Sequence, residues 1–75
     1  MKNIAERITT DVNICGGKPC IRGMRIRVSD ILDLLANGLS NQDVLDEFPE
    51  LEDDDIKAAL QFASAKVNHA IIYAA

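Results

Sequence analysis

Ser29-Asp30-Ile31-Leu32-Asp33-Leu34-Leu35-Ala36-Asn37-Gly38-Leu39-Ser40-Asn41-Gln42-Asp43-Val44-Leu45 reads as one helix stopping and another starting. Ser29 offers a side-chain oxygen to the open amides of a first turn, and Asp30 stands at the positive end of the helix dipole. Ile31, Leu34 and Leu35 then recur at i, i+3, i+4 with Leu32 beside them, which predicts an amphipathic helix capped by Ser29. Asn37-Gly38 ends it as a left-handed cap. Ser40-Asn41-Gln42-Asp43 is a capping box with Asp in place of the preferred Glu, and it opens a second helix faced by Val44, Leu45 and Phe48. Pro49 stops that helix after about two turns, too short to stand without tertiary packing.

A third helix is predicted after the acidic run Glu52-Asp53-Asp54-Asp55, which suits a helix N-terminus. Its apolar stripe is Ile56, Leu60, Ala63, Val67 and Ile71, in steps of three and four. Ala58, Ala59, Ala63, Ala65 and Ala70 would let a neighbouring helix come close. Unbroken to Tyr73, it would run roughly 30 Å, more than two short helices can cover. Its C-terminal part is therefore expected to pack on something else. Ile71, Ile72 and Tyr73, or the N-terminal strands, are the expected contact of a homodimer. Three helices joined by turns at Gly38 and Pro49 read as a small helix-turn-helix bundle.

Upstream, Gly16-Gly17-Lys18-Pro19-Cys20-Ile21-Arg22-Gly23-Met24-Arg25-Ile26 holds three of the four glycines and one of the two prolines. Such clustering predicts a shaped turn or hairpin. Ile8-Thr9-Thr10 is the best strand candidate before it. Cys20-Ile21 and Met24 to Val28 read as two short strands around an Arg22-Gly23 turn, because Arg25, Arg27 and Ser29 alternate with Ile26 and Val28. The expected fold is mostly α: a three-helix, helix-turn-helix bundle preceded by a short N-terminal strand arm. Residues 1–75 form one domain, with a basic arm over 1–28 and a helical array over 29–75.

The chain has 75 residues, with a net charge of −4. A domain of this size buries only about 60% of its unfolded surface, so self-association or a partner is a common remedy. Residues 1–28 carry six Lys/Arg against two acids, a balance of +4, whereas residues 29–75 carry two lysines against ten acids, a balance of −8. This division fits a chain with two different contacts to make. The sequence has no apolar run at its N-terminus and no stretch of membrane-spanning length, and a cytoplasmic location with reduced Cys15 and Cys20 is expected.

Catalysis and cofactor binding are not expected. Cys15, Cys20 and the single His69 are too few, at the wrong spacing, for a zinc site. Gly16-Gly17-Lys18-Pro19 lacks the spacing of a phosphate loop, and consecutive acids at 52–55 lack the alternation of a calcium loop. No arrangement of Ser or Cys with His suggests a nucleophile. The best functional candidates are Lys18, Arg22, Arg25 and Arg27, cations suited to phosphate contact as a DNA-binding arm. The competing reading pairs them with acids of the same chain or of a second copy. Spacing alone does not choose.

The run Gly17 to Ile26, followed by Leu34-Leu35-Ala36-Asn37-Gly38-Leu39-Ser40, Phe48-Pro49-Glu50-Leu51, Asp55-Ile56 and Ala58-Ala59-Leu60, resembles the small prokaryotic domain-of-unknown-function family 433. The resemblance runs from about Ile8 to Ala63. It implies a homeodomain-like helix-turn-helix fold and the antitoxin side of a toxin–antitoxin module. The implied partner is a PIN-like ribonuclease toxin, with the chain's own operator DNA as a further one. The family's motif falls here on Gly17, Lys18, Pro19, Ile21, Arg22, Gly23, Arg25 and Ile26. Met24 stands where the family usually has Thr, and Glu52 where it often has Thr or Ser. A protein-interaction module that never binds DNA is the alternative expectation, and an adaptor of an unrelated regulatory pathway is a third.

Overall fold

Two positive backbone angles in succession, at Arg22 (φ 45°) and Gly23 (φ 73°), reverse the arm. In a computed structural model describing residues 4–74, with the side chains of residues 5 and 69–74 excepted, this turn follows the second strand of a two-stranded sheet. A 3-10 turn over Ile4–Arg7 leads into β1 (Ile8–Thr9), and a second over Cys15–Gly17 precedes β2 (Cys20–Ile21). The strands are antiparallel, with Ile8 opposite Ile21 and Thr9 opposite Cys20. The Gly23 amide donates to Thr9 Oγ1 at 2.8 Å, and the Met24 amide to the Ile21 carbonyl at 2.8 Å.

The expected strand over Met24–Val28 does not form. Its pairing is limited to a Cys20–Arg27 bridge, with the Ile21 amide reaching the Ile26 carbonyl. The chain turns helical too early for more. Helix α1 spans Val28–Ala36, so its cap is Arg27 and not Ser29, and the helical array begins at 28. The reason is Asp30, whose carboxylate accepts from the Arg27 amide at 3.1 Å. Ser29 lies exposed in the first turn.

Gly38 ends α1 at φ 93°, with its amide on the Leu35 carbonyl and the Leu39 amide on that of Leu34. This double closure satisfies carbonyls that a helix end leaves open. Helix α2 (Asn41–Glu47) starts as read: Ser40 Oγ accepts from the Asp43 amide, and the Asp43 carboxylate accepts from the Ser40 amide. Helix α3 spans Asp53–Ala74. The protein is thus mostly helical, three helices behind a two-stranded arm. No helix among the described residues is long and apolar enough to cross a membrane.

Ile21, Val28, Ile31, Val44, Leu51, Ile56 and Ala59 form the core. The buried face of α3 is turned from the one its periodicity suggests. Asp55, Ile56, Ala58 and Ala59 are buried, whereas Leu60 is 46% and Val67 58% exposed. The ionic contacts of Asp55, described below, draw that side of the helix inward. Every described residue from Ser64 to Asn68 is exposed. The Ile71, Ile72 and Tyr73 side chains expected at a dimer contact lie outside the described residues. The rotation predicts opposite outcomes at neighbouring stripe positions. Ile56→Val should cost about 1 kcal/mol in urea denaturation. Leu60→Ala should change stability by less than about 0.5 kcal/mol.

Candidate functional site

Asp55 carries a carboxylate with no solvent exposure, and every contact that compensates it comes from the chain itself. Arg22 approaches it with two nitrogens, Nε to Oδ1 at 3.0 Å and Nη2 to Oδ2 at 2.8 Å. Arg7 Nη1 donates to Oδ1 at 2.9 Å and to Glu52 Oε1 at 2.7 Å. The Glu52 amide donates to Oδ2 at 2.8 Å, so the same group caps α3 from within its first turn. Arg22 Nη2 also donates to the Glu50 carbonyl at 2.9 Å, tying the α2–α3 connection to the arm.

Burial pushes the Asp55 pKa up. The hydrogen bonds from Arg22, the Glu52 amide and Arg7 outweigh that push and hold it below the ordinary carboxylate range. Arg7 and Arg22 are correspondingly raised, Arg7 chiefly by Glu52 and then Asp55, Arg22 chiefly by Asp55. A planar guanidinium matches a carboxylate with two parallel bonds, which a lysine cannot.

The four cations expected to form a basic arm therefore separate. Arg22 faces Asp55, and Arg27 holds Asp30 with Nε at 3.2 Å and Nη2 at 3.0 Å. Burial raises the Asp30 pKa, and the hydrogen bonds from Arg27 lower it further than burial lifts it. Lys18 and Arg25 are exposed and form no ion pair among the described residues. The pairing of arginines with the chain's own acids, one of the two readings left open by spacing, holds for Arg22 and Arg27.

The acids expected to form one solvated cap separate too. Glu52, Asp53 and Asp54 are exposed, and Asp55 is not. Sequence reasoning missed Asp55. The available signal was Glu52-x-x-Asp55, the spacing at which an N3 carboxylate reaches back to its cap. Cys20 is fully buried, and burial raises its thiol pKa; its Sγ lies 3.3 Å from the Lys18 carbonyl oxygen. Cys15 is half-buried, and both thiols are free.

Lys18 also lines a second feature, an open groove of about 480 Å³ between α1 and the later turns of α3. Val28, Leu32, Phe62, Ala63 and Val67 give it an apolar wall, and Lys66 lines it together with Lys18. The Lys66 ammonium lies 5.3 Å from the centre of the Phe62 ring.

The sequence pattern of the family described as "Protein of unknown function (DUF433)" matches residues 8–63. The chain belongs to the DUF433 family. An "Uncharacterized protein y4eO" of Sinorhizobium fredii is 35% identical over 60 residues, covering 80% of this chain. The match spans only 27% of that relative's length. No solved structure matches.

Within this DUF433 chain, the motif residues of the arm have structural work to do. Ile21 fills the core, the Pro19 carbonyl accepts from the Val28 amide, and Ile26 offers its carbonyl to Ile21. Arg22 and Gly23 make the positive-φ turn that aims a guanidinium at Asp55.

Asp55→Ala should cost about 3 kcal/mol in chemical denaturation at neutral pH, because it strands two arginines and the Glu52 amide. With the folded pKa of Asp55 depressed, its contribution should be fully present above the unfolded value, about 3.9, and be lost as pH falls through the folded value. An acid titration of stability should therefore be less steep below about pH 4 in Asp55→Ala than in the parent.

Proposed function

We propose that this chain is the antitoxin-side member of a cytoplasmic toxin–antitoxin module, acting by binding a protein and not by reading bases with its third helix. The partner implied by the family resemblance is a PIN-like ribonuclease. The observation that carries the protein-binding reading is the charge of the exposed surface. Glu52, Asp53 and Asp54 crowd the entry end of α3, and Asp43, Asp46 and Glu47 line α2. A nuclease that binds RNA presents a basic surface, and an opposed acidic face would speed association and fix its orientation.

The same surface disfavours the usual docking of a helix-turn-helix protein, in which the later helix enters the major groove N-terminus first. Three exposed carboxylates would there meet phosphates, with Arg7 at 2.7 Å from Glu52 and Lys57 at 3.8 and 3.9 Å from Asp53 and Asp54 as counterweights already engaged by those acids. Operator binding by this chain, as a homodimer, would rest on Lys18 and Arg25, the arm cations whose side chains are not engaged by its acids.

Co-expression with the product of a neighbouring nuclease gene should restore growth, and the two should co-purify. Asp53→Asn with Asp54→Asn should weaken that complex by about tenfold at low salt and by less at high salt. The same double change should leave any affinity for promoter DNA unchanged or raised. A co-expression that gives no rescue and no complex sinks the antitoxin reading. Loss of DNA binding on altering α3, with Lys18→Ala and Arg25→Ala having no effect, would restore ordinary helix-turn-helix docking.

A further inference from the structure

The core-facing row of α3 runs from the buried Ala59 through Phe62 and Ala63, and one turn later it reaches Lys66. A lysine on that row marks where the protein's own core ends. Beyond α1 the row is open, and it forms one wall of the groove of about 480 Å³. Val28, Leu32, Phe62 and Val67 make the groove apolar, and Lys18 and Lys66 are its charged side chains. No carboxylate lines it, and neither lysine forms an ion pair among the described residues. Lys66 instead holds its ammonium over the Phe62 ring, at the margin of the apolar wall.

An apolar trough with two cations outside any ion pair among the described residues and no carboxylate on its lining is complementary to an amphipathic segment that carries acids beside an apolar stripe. A second copy of this chain fits poorly. A two-fold contact places the same patch on both sides, so it would bring Lys18 and Lys66 of each copy together with no acid between them. Nucleic acid fits poorly as well, because four of the six residues named are aliphatic or aromatic and only Phe62 offers a ring for stacking.

We propose that this groove binds an acidic amphipathic helix of a partner protein, its apolar stripe on Leu32, Phe62 and Val67 and its carboxylates on Lys18 and Lys66. The contact is distinct from the acidic face of α2 and α3 and has the opposite sign. It stands whether or not the partner of that face is a nuclease. The helical occupant follows from the lining itself, in which Ala63 and Val67 lie on successive turns of one helix and Val28 and Leu32 on successive turns of the other. Such a two-helix trough accepts a third helix as ridges accept a groove.

The test uses the intact chain and two labelled helical peptides with the same leucine stripe, one flanked by glutamates and the other by lysines. Fluorescence anisotropy should show binding of the glutamate peptide, weaker at high salt, and at least about tenfold weaker binding of the lysine peptide. K18E/K66E should reverse that preference, and V67S should weaken both peptides. These three positions are exposed, so the thermal transitions of the variants should stay close to that of the parent. Absence of glutamate-peptide binding at roughly millimolar concentration, or equal binding of the two peptides, overturns the proposal. So does an unchanged preference in K18E/K66E. A dimer by light scattering that V67S dissociates would give the groove to a second copy and overturn it too.

Discussion

The carboxylate of Asp55 is the constraint on which the rest of this small protein depends. Removing a charge from water costs several kcal/mol even after relaxation. The structure meets that cost with two arginines and a backbone amide from three separated parts of the chain. Arg7 brings in the N-terminal turn, Arg22 brings in the β2 turn, and the Glu52 amide brings in the start of α3. Arg22 then reaches the Glu50 carbonyl, so the connection from α2 is held by the same group. No apolar side chain could fix all four, because dispersion has no direction. An ion pair of this kind contributes less to net stability than to the choice of one arrangement over its neighbours.

That choice shows in the rotation of α3. Read by periodicity, the helix should seat Ile56, Leu60, Ala63 and Val67 on the core. Seating Asp55 between Arg7 and Arg22 turns the helix instead, so that Ala58 and Ala59 are buried and Leu60 and Val67 remain half in water. Small side chains at 58 and 59 make the turn feasible, since a larger residue at either would hold the helix away from the arm. The exposed apolar surface of α3 is thus a consequence of an ionic contact several residues earlier. A composition-based view of the same helix would call it simply amphipathic.

The helices were legible because their signals are local. Ser40 with Asp43, Gly38 after Asn37 and Pro49 after Phe48 each act within four residues, and α2 and the end of α1 form as those residues dictate. The cap of α1 was misplaced by two residues because two caps compete there. Asp30 reaching back to Arg27 defeats Ser29 reaching forward, and both patterns sit in the same five residues. The arm was legible as a turn and as strands at Ile8–Thr9 and Cys20–Ile21, but not in its pairing: those two strands pair with each other, and Met24–Val28 contributes only the Arg27 bridge. Strand pairing across a dozen residues leaves no mark on either strand alone. Asp55 was hidden for the same reason. In a run of four acids the Glu52-x-x-Asp55 spacing marks a cap and not a burial, since the arginines that bury Asp55 lie 33 and 48 residues upstream.

Three of the arm's four arginines engage their charge inside the fold, and Arg25 and Lys18 keep theirs outside. Arg7, Arg22 and Arg27 each meet a carboxylate, Arg22 and Arg27 with two nitrogens apiece. Their rigid, weakly hydrated forks suit partly buried pairs. Lys18 and Lys66 keep strongly hydrated ammonium groups that a fold gains little by burying, and both stand at the margin of an apolar groove. The uneven charge of the chain is therefore reduced by folding at Arg7, Arg22 and Arg27 and left standing at Lys18, Arg25, Lys66 and the surplus acids. What reaches solvent is an acidic face on α2 and the start of α3, and a cationic rim around exposed apolar surface. Opposite charges on two faces of one small domain disfavour association by either face with its own kind, because each would meet itself with like sign. A domain charged in this way is suited to holding two unlike surfaces at once.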